Sequence, residues 1–332
     1  MKQVKFITGL MAFGVVSLFA GCGEKENEMT KVTLNEVAHS IFYAPQYVAL
    51  ENGYFTQEGL DLDLVTGYGA DKTMAAVISG EAQIGFMGAE ASVYAYLEGA
   101  NDPVINFAQG TQRAGNFLVA REEMADFQWS DLKGKEVLGG RKGGMPEMVF
   151  EYILKQNHID PVSDLEIDQS IDFGSTAAAF SGGKGEFTVE FEPAATTLEK
   201  NGDGFVVASL GVDSGYVPYT SYSAKTSYVE KHPEIIQAFT DGLQKGVDYV
   251  NSHTAEEIAK VIQPQFKEND LDTITRIVER YQSQDTWKEN LVFEKESFEL
   301  LQDILESAGE LEKRADYEKL VTTIYAKEAM KK

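Results

Sequence analysis

At 332 residues the chain is longer than one hydrophobic core usually fills, since cores stop growing at roughly 250–300 residues, and it suits two modest cores. Hydrophobic residues make up 43% of it and charged residues 25%, which excludes disorder as the main state. A formal charge of −24 repels phosphate backbones and anionic headgroups, so a nucleic-acid partner is excluded as well.

The first element is not part of a fold. Lys2 and Lys5 precede an apolar run from Phe6 to Ala20, too short to span a bilayer comfortably and suited to the core of an export signal. The run ends in "LFAGC". Small Ala20 and Gly21 before Cys22, the only cysteine, resemble the bacterial lipobox, although Phe19 stands where that motif usually has Leu. Residues 1–21 are therefore expected to be a signal peptide, and 22–30 a lipid-modified Cys22 with a polar tether. With no second cysteine, the exported protein has no internal disulfide to lean on and must be held by its cores. Beyond the signal no apolar run is long enough to span a membrane, so the lipid is the only expected anchor.

"KVTLNEV" reads as a strand, and "PQYVALENGYF" as a helix that starts at Pro45 and stops near Gly53. "LDLDLVTG" alternates like a strand, "ADKTMAAVISGE" is helical and "AQIGFMG" is a short buried strand. The same β-α-β rhythm continues through "DPVINFAQ", "NFLVARE", "KEVLGG", the helix "MPEMVFEYILKQN", "DLEIDQS", the helix "STAAAFSGG", "EFTVEFE", the helix "PAATTLEKN" and "FVVASL". This rhythm implies parallel sheets with crossover helices. From Lys231 onward the pattern is helical, with segments bounded near Ser252, Gln265, Gln284 and Gly309.

Open parallel sheets place ligands beyond the C-terminal ends of their strands, where helix N-termini present free N–H groups. The residues expected at that edge are Ser40, Phe42 and Tyr43; Tyr68 and Gly69; Gly88, Ala89 and Glu90; and Gln112 and Arg113. From the second half come Gly143, Gly144 and Met145 in "GGRKGGMPE", and Glu192 in "EFEPAA", with Tyr219 near the return between halves. Phe42 and Tyr43 read equally well as core residues, and Glu192 as a helix-start carboxylate. "GGRKGGMP" has neither a Walker ending nor G-x-G-x-x-G spacing, which disfavours a nucleotide site. The four histidines show no metal-ligand spacing and there is no G-x-S-x-G elbow, so no catalytic residue, metal or cofactor is expected.

"FYAPQYVALENGYFTQEGLDLDLV", "AAVISGEAQIGFMG" and "DLKGKEVLGGRKGGMPEMVFEYIL" resemble solute-binding proteins of ABC importers, in the family that takes thiamine-pyrimidine precursors, aliphatic sulfonates, nitrate and related solutes. The resemblance implies an α/β, type II periplasmic-binding-protein fold. Two lobes, each a mixed, mostly parallel sheet flanked by helices, would enclose one solute, and a helical tail would end the chain. Lobe 1 is expected at 31–118 and 219–332, lobe 2 at 119–218, with chain crossings near "NFLVARE" and "PYTSYSA". The resemblance also implies an exported monomer, held by lipid on the outer face of the cytoplasmic membrane or the periplasmic side of an envelope. Its partners would be an ABC permease and that permease's ATPase subunit.

Phe42, Tyr43, Tyr68 and Tyr219 with Glu90 and Glu192 suit a planar heterocycle bearing amino groups. Arg113, Arg141 and Lys142 leave an anionic solute (an alkanesulfonate or nitrate) open, and riboflavin is a further alternative. Relatives on this fold that make the thiamine pyrimidine from pyridoxal phosphate use a histidine and a cysteine-rich motif, and this chain lacks the latter.

Overall fold

The computed structural model describes residues 29–140, 142–172 and 174–332; the segment expected to be a signal peptide, Cys22, most of the expected tether and Arg141 lie outside the described residues. Ten strands form: β1 (Thr30–Glu36), β2 (Leu60–Thr66), β3 (Ile84–Gly88), β4 (Val104–Thr111), β5 (Asn116–Ala120), β6 (Glu136–Leu138), β7 (Glu166–Asp168), β8 (Phe187–Phe191), β9 (Phe205–Ser209) and β10 (Thr220–Lys225). They make two sheets, ordered β2-β1-β3-β10-β4 and β7-β6-β8-β5-β9. In each sheet a single strand runs against the rest: β10 is antiparallel to β3 and β4, and β5 to β8 and β9. These two strands are the ones that arrive from the other lobe. The chain changes sheets between β4 and β5, and again before β10, which gives the two-lobed α/β fold expected from the motifs.

Local chemistry explains the elements. In β2 every second residue (Asp61, Asp63 and Val65) is exposed, as a strand with one wet face requires. β3 is buried along its whole length, as a central strand must be. Pro45 occupies the first turn of the Ala44–Glu51 helix, where its missing N–H costs nothing. The long Pro233–Ser252 helix buries Ile236, Phe239, Leu243, Val247 and Val250 at three- and four-residue spacing and packs on Ala44–Glu51. At their crossing a side chain on Gly246 would strike the Pro45 carbonyl, so only glycine allows the approach.

The tail reaches both lobes. Its Leu271–Ser283 helix starts at Asp270, whose carboxylate accepts the Thr273 N–H at 2.8 Å. From that helix Arg280 pairs with Glu192 and Glu199 of the second lobe, at 2.5 and 3.1 Å. The Lys295–Ser307 helix packs on Met145–Gln156. The end of the Leu271–Ser283 helix and the segment after it buttress the chain crossings. Gln284 Nε2 donates to the Ala114 carbonyl at 3.1 Å, the Tyr281 hydroxyl donates to Gly115 at 2.9 Å, and Trp287 Nε1 donates to Phe42 at 2.9 Å. Among the described residues no helix is long and apolar enough to cross a membrane.

Candidate functional site

The ends of β1, β2 and β3 open onto the gap between the lobes, facing the loop that leads from β6 into the Met145–Gln156 helix. A cavity of about 130 Å³ lies there. A cavity of about 150 Å³ takes up one benzene molecule, so this one is scaled to a single small ring.

Its wall is aromatic. Tyr43, Phe191 and Tyr219 line it, with Met145 and Pro146 from the second lobe. Tyr43 and Tyr219 are almost fully buried, and burial pushes both hydroxyls well above the ordinary phenol value, with the Glu90 carboxylate adding to both shifts. They therefore act as neutral donors and acceptors. The Tyr219 hydroxyl donates to Asn116 Oδ1. Phe42 packs behind this wall at 5.8 Å from Phe191, 5.7 Å from Tyr219 and 5.3 Å from Tyr281.

Polar groups sit at the edges. Glu90, buried at the start of the Glu90–Leu97 helix, folds its carboxylate over Gly88, whose bare Cα leaves room for it. Tyr68 projects into solvent, 60% exposed, from a left-handed turn with φ of 56°. Gly69 precedes the Ala70–Ser79 helix and Gly144 precedes Met145–Gln156, so two helix N-termini from opposite lobes meet at the cavity. Asp71, Lys72 and Asp172 are exposed at the rim.

Of the residues expected from sequence, Tyr43, Tyr68, Gly69, Gly88, Glu90, Gly144, Met145 and Tyr219 line this cavity together. The others do not line it: Ser40 and Glu192 border an adjoining chamber of about 340 Å³, and the rest go elsewhere, each for a physical reason. Phe42 is core, as described above. Ala89 is buried beneath the helix start between its two lining neighbours. Gln112 and Arg113 belong to the chain crossing. Gln112 Nε2 donates to the Asp285 carbonyl at 3.1 Å, and Arg113 donates to the Gly211 carbonyl at 3.0 Å while lying 4.1 Å over the Tyr216 ring. Gly143 borders a side groove, where its carbonyl accepts the Tyr94 hydroxyl at 3.2 Å. Ser40 spans the lobes, its hydroxyl donating to the Glu192 carbonyl at 2.6 Å.

Glu192 borders that adjoining chamber with its carboxylate already engaged. Its carboxylate accepts the Thr196 N–H and hydroxyl, both at 2.9 Å, and pairs with Arg280. Burial lifts its carboxyl above the ordinary range and Arg280 opposes that lift. It is the helix-start carboxylate that the sequence left open as its alternative role. Phe191 takes the place on the cavity wall. Strand alternation carried that signal, because neighbours in a strand face opposite ways. Val37, Asp71, Lys72, Asp172 and Thr220 also line the cavity, and apart from nearness to strand ends nothing in the sequence marked them.

Among the described residues no group of three or more His, Cys, Asp or Glu is placed to hold a metal ion. A family model described as NMT1/THI5-like matches residues 41–257. The chain belongs to the NMT1/THI5-like family. It is 46% identical over 302 residues to the "Putative binding protein YtlA" of Bacillus subtilis (strain 168), covering 91% of this chain and 90% of that one. Among solved structures, the fold is shared with the alkanesulfonate-binding protein SsuA from Xanthomonas axonopodis pv. citri bound to MOPS, at TM-score 0.73 and 15% identity over 89% of this chain and 99% of that one. It is shared equally with a ligand-binding component of an ABC-type import system from Staphylococcus aureus with zinc bound, at TM-score 0.73 and 16% identity, covering 91% and 99%. These NMT1/THI5-like features agree with the family that the motifs resembled.

Proposed function

We propose that this protein is the exported solute-binding component of an ABC importer and that it encloses a small planar heterocycle bearing amino groups between its lobes. The carrying observation is the wall of Tyr43, Phe191 and Tyr219 around a ring-sized space, with the buried Glu90 carboxylate at its edge. Aromatic faces hold a flat ring, and a carboxylate accepts from ring amino groups. The importer role is supported by the printed roles of the two solved neighbours and by the family. In this reading Cys22 carries the lipid that keeps the protein at the outer face of the membrane, and a permease with its ATPase receives the solute. The solute is captured and released unchanged.

A second reading has its own observation. Two helix N-termini and Lys72 meet at the cavity, and such positive ends suit an anion such as the sulfonate named for the Xanthomonas neighbour. A thermal-shift series separates the two. 4-Aminopyrimidine and its simple derivatives are expected to raise the melting temperature, while ethanesulfonate and nitrate leave it in place. At about a hundred times its dissociation constant a ligand stabilises the folded state by about 2.7 kcal/mol. A shift with the anions alone overturns the heterocycle reading. Mass spectrometry of the released ligand is expected to recover it intact; a changed mass removes the pure binding role.

A further inference from the structure

The gap between the lobes does not end at the ring-sized cavity. A second chamber of about 340 Å³ adjoins it, and Tyr68, Pro146 and Phe191 line both. The Asn116 side chain, which accepts the Tyr219 hydroxyl of the first wall, lines the second chamber.

Two glutamates border the second chamber from neighbouring positions, and their surroundings differ. Glu192 has the Arg280 guanidinium at 2.5 Å and serves the helix start. Glu190 is just as deep, 5% exposed, yet its contacts are hydroxyls: Thr188 donates to it at 2.7 Å and Thr176 lies beside it. Among the described residues lining the chamber there is no lysine or arginine, and His39 is occupied between Glu36, at 2.8 Å, and the Gln265 carbonyl, at 2.9 Å. A buried carboxyl served only by hydroxyls is a cost to the fold, and burial pushes it up to about 7. Folding gains nothing from such a group facing a cavity, and a site that binds a donor does. Glu268, exposed at the chamber's rim, makes the local field still more negative.

We propose that the solute has two parts, a planar ring in the first chamber and a flexible arm that passes Tyr68, Pro146 and Phe191 to place a terminal amine on Glu190. This rests on the heterocycle reading above and names the rest of the molecule. The amine N–H groups donate to the carboxylate, a charge-assisted bond out of water.

Calorimetry with three probes tests it: 4-aminopyrimidine, the same ring with a 4-aminobutyl chain at C5, and the same ring with a 4-hydroxybutyl chain there. The aminobutyl probe is expected to bind at least tenfold more tightly than either of the others. In Glu190→Gln that ratio is expected to fall to near one. Ala194→Phe, which fills the chamber from the helix start beside it, is expected to do the same by sterics alone. Circular dichroism and melting check that both variants fold. Equal affinities for the three probes overturn the arm while leaving the ring reading standing, as does a ratio that survives both substitutions. Failure of all three probes to bind overturns both.

Discussion

At the scale of single residues, the glutamates of β8 and its end show how burial alone says little about role. Glu192 and Arg280 form a pair whose carboxylate is fully out of water, and leaving one partner alone there is costly. Glu192→Ala is expected to lower stability by on the order of 3 kcal/mol in urea unfolding, with the affinity of the intact fold for solute little changed. A large loss of affinity at unchanged stability would return Glu192 to the binding wall. Glu190 behaves differently with pH. Its carboxyl titrates at about 7 in the folded protein against 4.5 for the ordinary group, so its contribution is fully present at low pH and is lost as pH rises through that window. Glu190→Gln is therefore expected to match the wild type in relative stability at its lowest near pH 4.5 and to gain on it steadily up to pH 7, after which the difference is flat. Glu147, pushed up to about 8 by burial and by the neighbouring Glu151, remains in both proteins and cancels from the difference. A flat difference across the whole range would show that Glu190 titrates normally.

At the scale of elements, much of the fold could be read from the chain. The acidic alternation of β2, the apolar run of β3, and Pro45 and Pro146 at helix starts each fix a local conformation from neighbouring residues alone. Two elements escaped that reading. The Glu90–Leu97 helix is apolar on nearly every side apart from Glu90 and Ser92, so it shows no period; it lies beside the cleft with its first turn buried. β10, "TSYSAK", shows no apolar alternation and is expected only as the return crossing that the resemblance implies, and it is a central strand. Its polarity is absorbed by partners far away in sequence. Ser221 donates to Asn106 at 2.5 Å, and the Thr220 and Thr111 hydroxyls meet at 2.7 Å. The stack of Phe86 on Tyr222, 3.9 Å apart, fixes the strand's register. Such pairings are tertiary and leave no local trace. Ser221→Ala leaves the Asn106 carbonyl oxygen without that donor and is expected to cost about 1–3 kcal/mol, read by chemical unfolding. A cost near zero would mean that water replaces the hydroxyl. The cleft was half legible for the same reason: strand ends can be located from sequence, while the turn of Phe42 into the core depends on its packing against Phe191, Tyr219 and Tyr281.

At the scale of the whole molecule, the lobes touch through a few polar contacts as well as through the crossings. The Ser40 hydroxyl reaches the Glu192 carbonyl and the Tyr94 hydroxyl reaches the Gly143 carbonyl. A hydrogen bond is worth about 1 kcal/mol net and a tenfold change in an equilibrium needs about 1.4 kcal/mol. Ser40→Ala combined with Tyr94→Phe is thus expected to weaken solute binding by on the order of tenfold, by shifting the lobes toward separation. Calorimetry showing unchanged affinity would place these bonds outside the closing equilibrium. The Trp287 indole, tied to the backbone of Phe42 next to the Tyr43 wall, also gives the protein an optical gauge of its own occupancy. The chain has two tryptophans, so a Trp129→Phe variant emits from Trp287 alone. Filling the ring chamber is expected to alter the intensity or wavelength of that emission with no attached dye; constant emission during a binding titration would mean that the crossing stays still while the solute enters.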